Sequence, residues 1–124
     1  MKLVLATHNA HKVVELRDIL GPLLDGIDLI GYDGPEPVED GATFEENALI
    51  KARAAFDHTG LPTIADDSGI CLASLGGAPG INSARYAGTR VDEDNVAHLL
   101  EELAAVGANS EADRRAEFCC AAAF

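Results

Sequence analysis

The stretch "KLVLATHNAHKVVELRDILGP", residues 2–22, changes its hydrophobic period partway along and so sets the fold class. Residues 2–6, KLVLA, form a short, mostly apolar run, the pattern of a buried strand. The polar triplet Thr7-His8-Asn9 breaks that run. From Ala10 onward the apolar positions Val13, Leu16, Ile19/Leu20 and Leu23 fall near one helical face. Asn9 is a good N-cap, and Gly21-Pro22 is a stop signal. The chain therefore opens as strand, polar turn, helix.

The rest extends this pattern. Residues 26–32, GIDLIGY, read as a second strand, and residues 33–42 as a loop rich in Gly, Pro and acid. Thr43 and Glu46 have the spacing of a capping box, followed by a helix with Phe44, Ala48, Ala52 and Phe56 along one stripe. LPTIA, 61–65, reads as a third strand with Asp66 to Gly69 as its exit turn, and ICLASL, 70–75, as a short further strand. A long loop, 76–90, carries four glycines and a proline. Asp92 is expected to cap a helix over roughly 93–106, with Val96, Leu99, Leu100 and Leu103 inward. Residues 114–124 read as a central strand. The expectation is an α/β fold: one domain over 1–124, a mixed central sheet flanked by helices, and a nucleotide cleft at the strand ends. The sequence stops in mid-strand without a cap or polar tail, which suggests a truncated chain with an incomplete second lobe.

A length of 124 residues is enough for a real core, and 48% hydrophobic with 24% charged residues is a globular balance. No apolar run approaches the ~20 residues needed to span a bilayer, so the expectation is a cytoplasmic protein without a membrane partner. A net charge of −12 argues against general nucleic-acid binding. It leaves room for a phosphate ligand held by lysines, backbone amides or a divalent cation. Cys71, Cys119 and Cys120 form no CxxC pair and read as free thiols.

Three stretches could carry chemistry. In THNAHK, Thr7 to Lys12, a helix N-terminus offers amides and a partial positive charge that suit phosphate. Thr7 and Asn9 add side-chain donors, and Lys12 adds charge; the alternative is an ordinary capped helix with a solvated lysine. His8 and His11 lie three apart with no third ligand near, and read as surface or loop histidines. In PVEDGATFEENALIK, Asn47 and Lys51 share a helix face. Lys51 lies beside the apolar stripe, where its stem can follow the surface and set its head at a cleft edge. In ADDSG, Asp66 and Asp67 point to opposite faces if the backbone is extended. Asp67 and Glu39 would then supply two carboxylates to a hard cation such as Mg²⁺, against the alternative of a solvated Asx turn.

These stretches together, with LGGAPGINSARYAG at 75–88, resemble the inosine triphosphate pyrophosphatase family, in which the same motifs occur in the same order. The resemblance runs through essentially the whole chain. It implies hydrolysis of ITP, dITP and XTP to the monophosphate and pyrophosphate, with Mg²⁺, by a homodimer. It implies that Thr7, His8, Asn9, Ala10, His11 and Lys12 hold the triphosphate and that Lys51 lies near the phosphates. Asp67 matches the general base and a metal ligand, Ser68 a substrate contact, and Glu39 a metal-binding glutamate. Family members continue past Phe124 into a Phe-Gly-Tyr-Asp motif and a Ser-His-Arg motif that contact base and sugar. Two other readings stand beside this one: a pyrophosphatase of pyrimidine or other modified nucleotides, and a fragment that binds nucleotide without hydrolysis.

Overall fold

The computed structural model describes residues 1–124. Strand β1 (Lys2–Leu5) leads through the polar turn into helix α1 (Ala10–Leu20), which tightens into a 3-10 turn at Gly21–Leu24. Strand β2 (Asp28–Ile30), helix α2 (Phe44–Thr59), strand β3 (Thr63–Leu72), helix α3 (Asp92–Ala105) and strand β4 (Ala116–Ala123) follow. The strands form one sheet in the order β2-β1-β3-β4. β1 pairs in parallel with β2, Leu3 opposite Leu29, and with β3, Leu5 opposite Ile64. The α/β class and the mixed sheet flanked by helices are as the sequence reading expected.

The chain clusters into two compact units, residues 1–67 with 121–124, and residues 68–120. In the first unit, strand alternation sorts the core. Val4, Ala6 and Ala65 pack with Ala52 and Ala55 of α2, while Leu5, Leu29 and Ile64 pack with Val13 and Leu16 of α1. The two helices therefore cover opposite faces of β1. Val4, Leu5 and Leu29 are essentially sealed from solvent, and truncating such a leucine to alanine costs about 2–5 kcal/mol. Arg17 of α1 donates through Nε, at 2.7 Å, and through its Nη2 group to the Leu29 carbonyl. The second unit has its own cluster, Leu72, Leu103 and Ala108, flanked by Ile70, Leu75 and Leu99.

Several local expectations are corrected. Asp66 to Gly69 are not an exit turn, because β3 runs unbroken to Leu72. Gly69 is buried where a Cβ would run into the Gly80 carbonyl and the Ser83 hydroxyl, and the Ile70 N–H donates to Ser83 Oγ at 2.9 Å. Glycine is needed there for close approach, not for a bend. β4 is an edge strand of this sheet, not a central one, and Phe118 stands 75% exposed. Asp92 does not cap α3; it is the first helical residue, Val91 is the cap, and no side chain bonds there. Of the four residues expected to face inward, Leu103 is buried and Leu99 partly so, whereas Val96 and Leu100 are exposed. Ile19, Leu23 and Phe56 are also exposed. The capping box at α2 forms with one arm displaced. Thr43 Oγ1 accepts from the Glu46 N–H at 3.1 Å, but the Glu46 carboxylate reaches the Ala42 N–H at 2.6 Å. All three cysteines are free, and burial pushes the Cys71 thiol up, so it resists ionising.

Candidate active site

The first unit brings three chain segments together where β1 ends. The turn after β1 is held by its own side chains. Thr7 Oγ1 accepts from the Asn9 N–H at 3.1 Å, and Asn9 Oδ1 accepts from the His11 and Lys12 N–H groups at 3.0 and 3.3 Å. Asn9 is thus the cap expected from the sequence. Two of the helix amides are consequently engaged. The donors this turn can offer a phosphate begin with the Lys12 ammonium, the Asn9 carboxamide NH₂ and the Thr7 hydroxyl. Ala10 contributes backbone alone.

β3 continues past its Leu5–Ile64 pairing and carries Asp66 and Asp67 alongside this turn. Pleat alternation sends them to opposite faces. Asp66 shares the face of Ile64, toward α1, where its Oδ1 accepts from Lys12 Nζ at 2.5 Å. Asp67 shares the face of Ala65, toward α2, where Lys51 Nζ lies 3.9 Å from its Oδ1 and 3.5 Å from Glu39 Oε1. Lys51 therefore sits between two carboxylates from different segments. Its side chain is 21% exposed and that of Asp67 15%.

The second oxygen of Asp67, Oδ2, is buried without a hydrogen-bond partner. Burial raises the Asp67 pKa above the ordinary value of 3.8; Lys51 and the Asn47 carboxamide pull it down, and Glu39 and Asp66 push it up. Asn47 is 2% exposed, and its Oδ1 accepts from the Gly41 N–H at 2.8 Å. With the oxygen committed to that amide, the NH₂ end is the one left to face a carboxylate. Asn47 thus links the loop carrying Glu39 to the strand carrying Asp67. Sequence reading placed Asn47 on the Lys51 face but gave it no task; the available signal was a polar residue set inside the apolar stripe Phe44-Ala48-Ala52. The Lys12–Asp66 pair was equally unassigned.

The remaining residues of the sequence reading are placed as follows. The His11 ring lies on the exposed surface of α1, 3.1 Å from the Glu15 carboxylate. Both ring nitrogens of His8 are engaged, Nδ1 with Glu36 at 2.8 Å and Nε2 with the Gly34 carbonyl at 2.7 Å. Ser68 follows Asp67 on β3, half-buried, as the first residue of the second unit.

The residues present fit a hard divalent cation. An orphaned buried carboxylate oxygen is costly, and a cation is one group that would satisfy it. No group of three or more carboxylate, imidazole or thiol side chains is placed to hold a metal ion by itself. A Mg²⁺ site on one or two carboxylates, completed by waters and phosphate oxygens, needs none. The positive charge now between Glu39 and Asp67 is the Lys51 ammonium, which marks the place as one where a cation is favoured.

This is an open α/β protein that gathers charged side chains beyond the carboxyl end of a central strand, the usual position for a ligand site in such sheets. Residues 3–124 match the Ham1 family model, and the chain belongs to that family. It is 56% identical over 113 residues to a dITP/XTP pyrophosphatase of Leifsonia xyli, covering 90% of this chain and 57% of that protein. It is 50% identical over 128 residues to a dITP/XTP pyrophosphatase of Streptomyces avermitilis, covering 99% and 62%. The chain thus spans about three-fifths of the length of these relatives. Among solved structures it resembles a HAM1 protein from Coxiella burnetii, with a TM-score of 0.86 and 41% identity over 98% of this chain and 61% of that one. It also resembles a nucleoside-triphosphatase / dITP/XTP pyrophosphatase from Mycobacterium abscessus, with a TM-score of 0.80, 38% identity, and coverage of 98% and 64%.

Proposed function

We propose that this chain carries the phosphate- and metal-handling half of a Mg²⁺-dependent nucleoside triphosphate pyrophosphatase. Its substrates would be ITP, dITP and XTP, and its products the nucleoside monophosphate and pyrophosphate. The observation that carries the reading is the orphaned Asp67 Oδ2 beside Glu39 and Lys51. The names of the relatives support the substrate class. Homodimer assembly and a cytoplasmic location belong to the same proposal; no helix is long and apolar enough to cross a membrane.

Mg²⁺, held by Asp67 and Glu39, would offset charge developing on the phosphate oxygens. The residues of the chain do the rest. Lys12, kept in place by Asp66, meets the phosphates with its remaining N–H donors, and Lys51 turns from the two carboxylates toward the same anion. The Asn9 carboxamide and Thr7 hydroxyl complete a donor set that fixes the triphosphate in line. Asp67, ionised, accepts the proton of the attacking water as that oxygen bonds to the α-phosphorus and pyrophosphate departs. The cost of burying Asp67 favours its protonated form, which suits it to hold the proton it receives.

The test is a substrate panel read by free pyrophosphate, with Mg²⁺ present and then chelated. It uses a protein of the relatives' length that contains these residues. Faster turnover of ITP, dITP and XTP than of ATP supports the reading. Preference for dTTP or UTP transfers the site to pyrimidine nucleotides, and Mg²⁺-dependent binding without pyrophosphate release makes the chain a binder.

A further inference from the structure

His8 lies in the turn after β1, but its ring points to the acidic loop that follows β2. Nε2 meets the Gly34 carbonyl at 2.7 Å and Nδ1 meets Glu36 Oε1 at 2.8 Å. The ring stacks on Tyr32, with centroids 5.4 Å apart and planes 17° from parallel, and His58 of α2 meets Tyr32 edge-on at 5.7 Å. The Tyr32 hydroxyl donates to the Pro35 carbonyl at 2.7 Å, and the Tyr32 N–H to the Thr7 carbonyl at 3.2 Å. Residues 32–36 are therefore wrapped around two rings and tied to the turn that carries Asn9 and Lys12. Three residues further on, the same loop carries Glu39.

We propose that His8 is a positioning residue, a clasp that fixes the loop bearing Glu39 to the phosphate-facing turn and grips it most firmly as the imidazolium. The proposal rests on the reading of Glu39 as a metal ligand given above. The argument is one of donor and acceptor counting. A backbone carbonyl can only accept, and an ionised carboxylate can only accept. A neutral imidazole has one N–H and can serve one of the two; the imidazolium serves both. The charged and titratable groups facing the ring are Glu36 and Tyr32 from the loop after β2, with His58 of α2 edge-on to Tyr32. None of these is a candidate metal ligand. Loss of the ring proton in alkaline solution therefore removes one fastening and loosens the loop. The His8–Glu36 pair is largely solvent-exposed, so the loosening is a local gain in motion and not an unfolding.

The test is backbone ¹⁵N relaxation at Glu36 and Glu39 near pH 5.5 and pH 8, on the chain without metal. The expected result is a fall in order parameters from about 0.85 toward ~0.6 as the pH rises. Glu36→Gln separates this from a general effect of pH, because its NH₂ can donate to a neutral Nδ1 and keep both fastenings. That variant should stay ordered at both pH values, whereas His8→Ala should be mobile at both. Order that is independent of pH in the unaltered chain overturns the proposal. So does a pH response that Glu36→Gln retains, or a loop in His8→Ala as ordered as in the parent. Mn²⁺ titration of Glu39→Gln separates the two readings: unchanged Mn²⁺ affinity removes Glu39 from the metal site while leaving the clasp to be judged by relaxation alone.

Discussion

Asp66 and Asp67 are neighbours on one strand, yet they are bonded in opposite ways. Asp66 is closed by a 2.5 Å contact to Lys12. Asp67 has a distant ammonium, 3.9 Å away, shared with Glu39, and one buried oxygen with no partner. The pleat causes the difference, turning one side chain to α1 and the other to α2. Asp66 is fitted to hold a lysine in place. Asp67 is left short of a bond, and burial raises its pKa from the ordinary value. A satisfied acid has little reason to change partners, whereas an unsatisfied one is ready for a cation or a proton.

The largest expected effect comes from the unsatisfied acid. Asp67→Asn should lower pyrophosphate release from ITP by about 10²–10⁴, the usual worth of a general base. Far-UV and near-UV circular dichroism should show the fold intact. Near wild-type turnover would erase the distinction between the two acids.

Asp66→Asn should act through Lys12. Loss of a charge-assisted bond of about 1.5–3 kcal/mol predicts kcat/KM lower by roughly 10–100-fold, mostly in KM. Lys12→Met should reproduce that loss, and the double variant should be no worse than either single one. Additive losses would show that Asp66 has a separate task.

The pH profile sharpens the contrast further. Lys51 pulls the Asp67 pKa down against its burial, so Lys51→Met should move the acid limb of kcat/KM to higher pH. An unmoved limb would place the titrating group elsewhere.

The smallest effect is in stability. A carboxyl whose folded pKa is raised contributes stability below its unfolded pKa and loses it as the pH rises through the folded one. For Asp67 that window opens above 3.8, so ionised Asp67 is a cost at neutral pH. Asp67→Asn should therefore raise Tm slightly at pH 7, with the gain vanishing in acid, while Asp66→Asn should lower it. Thermal melts at the two pH values decide the matter.

Much of this was legible in the sequence, and what was not has physical reasons. The opening strand and helix, the Asn9 cap and the start of α2 depend on residues within four positions of one another, so local pattern reveals them. The continuity of β3 does not. Ser68-Gly69 has the local character of a turn, and only the approach of Gly80 and Ser83, eleven to fourteen residues downstream, explains the glycine. The edge position of β4 and the exposure of Val96 and Leu100 fail for the same reason, since periodicity defines a face but not what covers it. At the site, Asp67, Glu39 and Lys51 were readable as chemistry-bearing residues, but the partner of Asp66 and the bridge made by Asn47 exist only once β3 and α2 are packed.

The most direct measurement is a crystal structure with Mn²⁺ and a non-hydrolysable purine triphosphate, using the anomalous signal of the metal. The account predicts a peak about 2.0–2.3 Å from Asp67 Oδ2, shared with Glu39, and Lys51 moved onto the phosphates. A metal bound elsewhere, with Lys51 still between Glu39 and Asp67 and Oδ2 still without a partner, would contradict it.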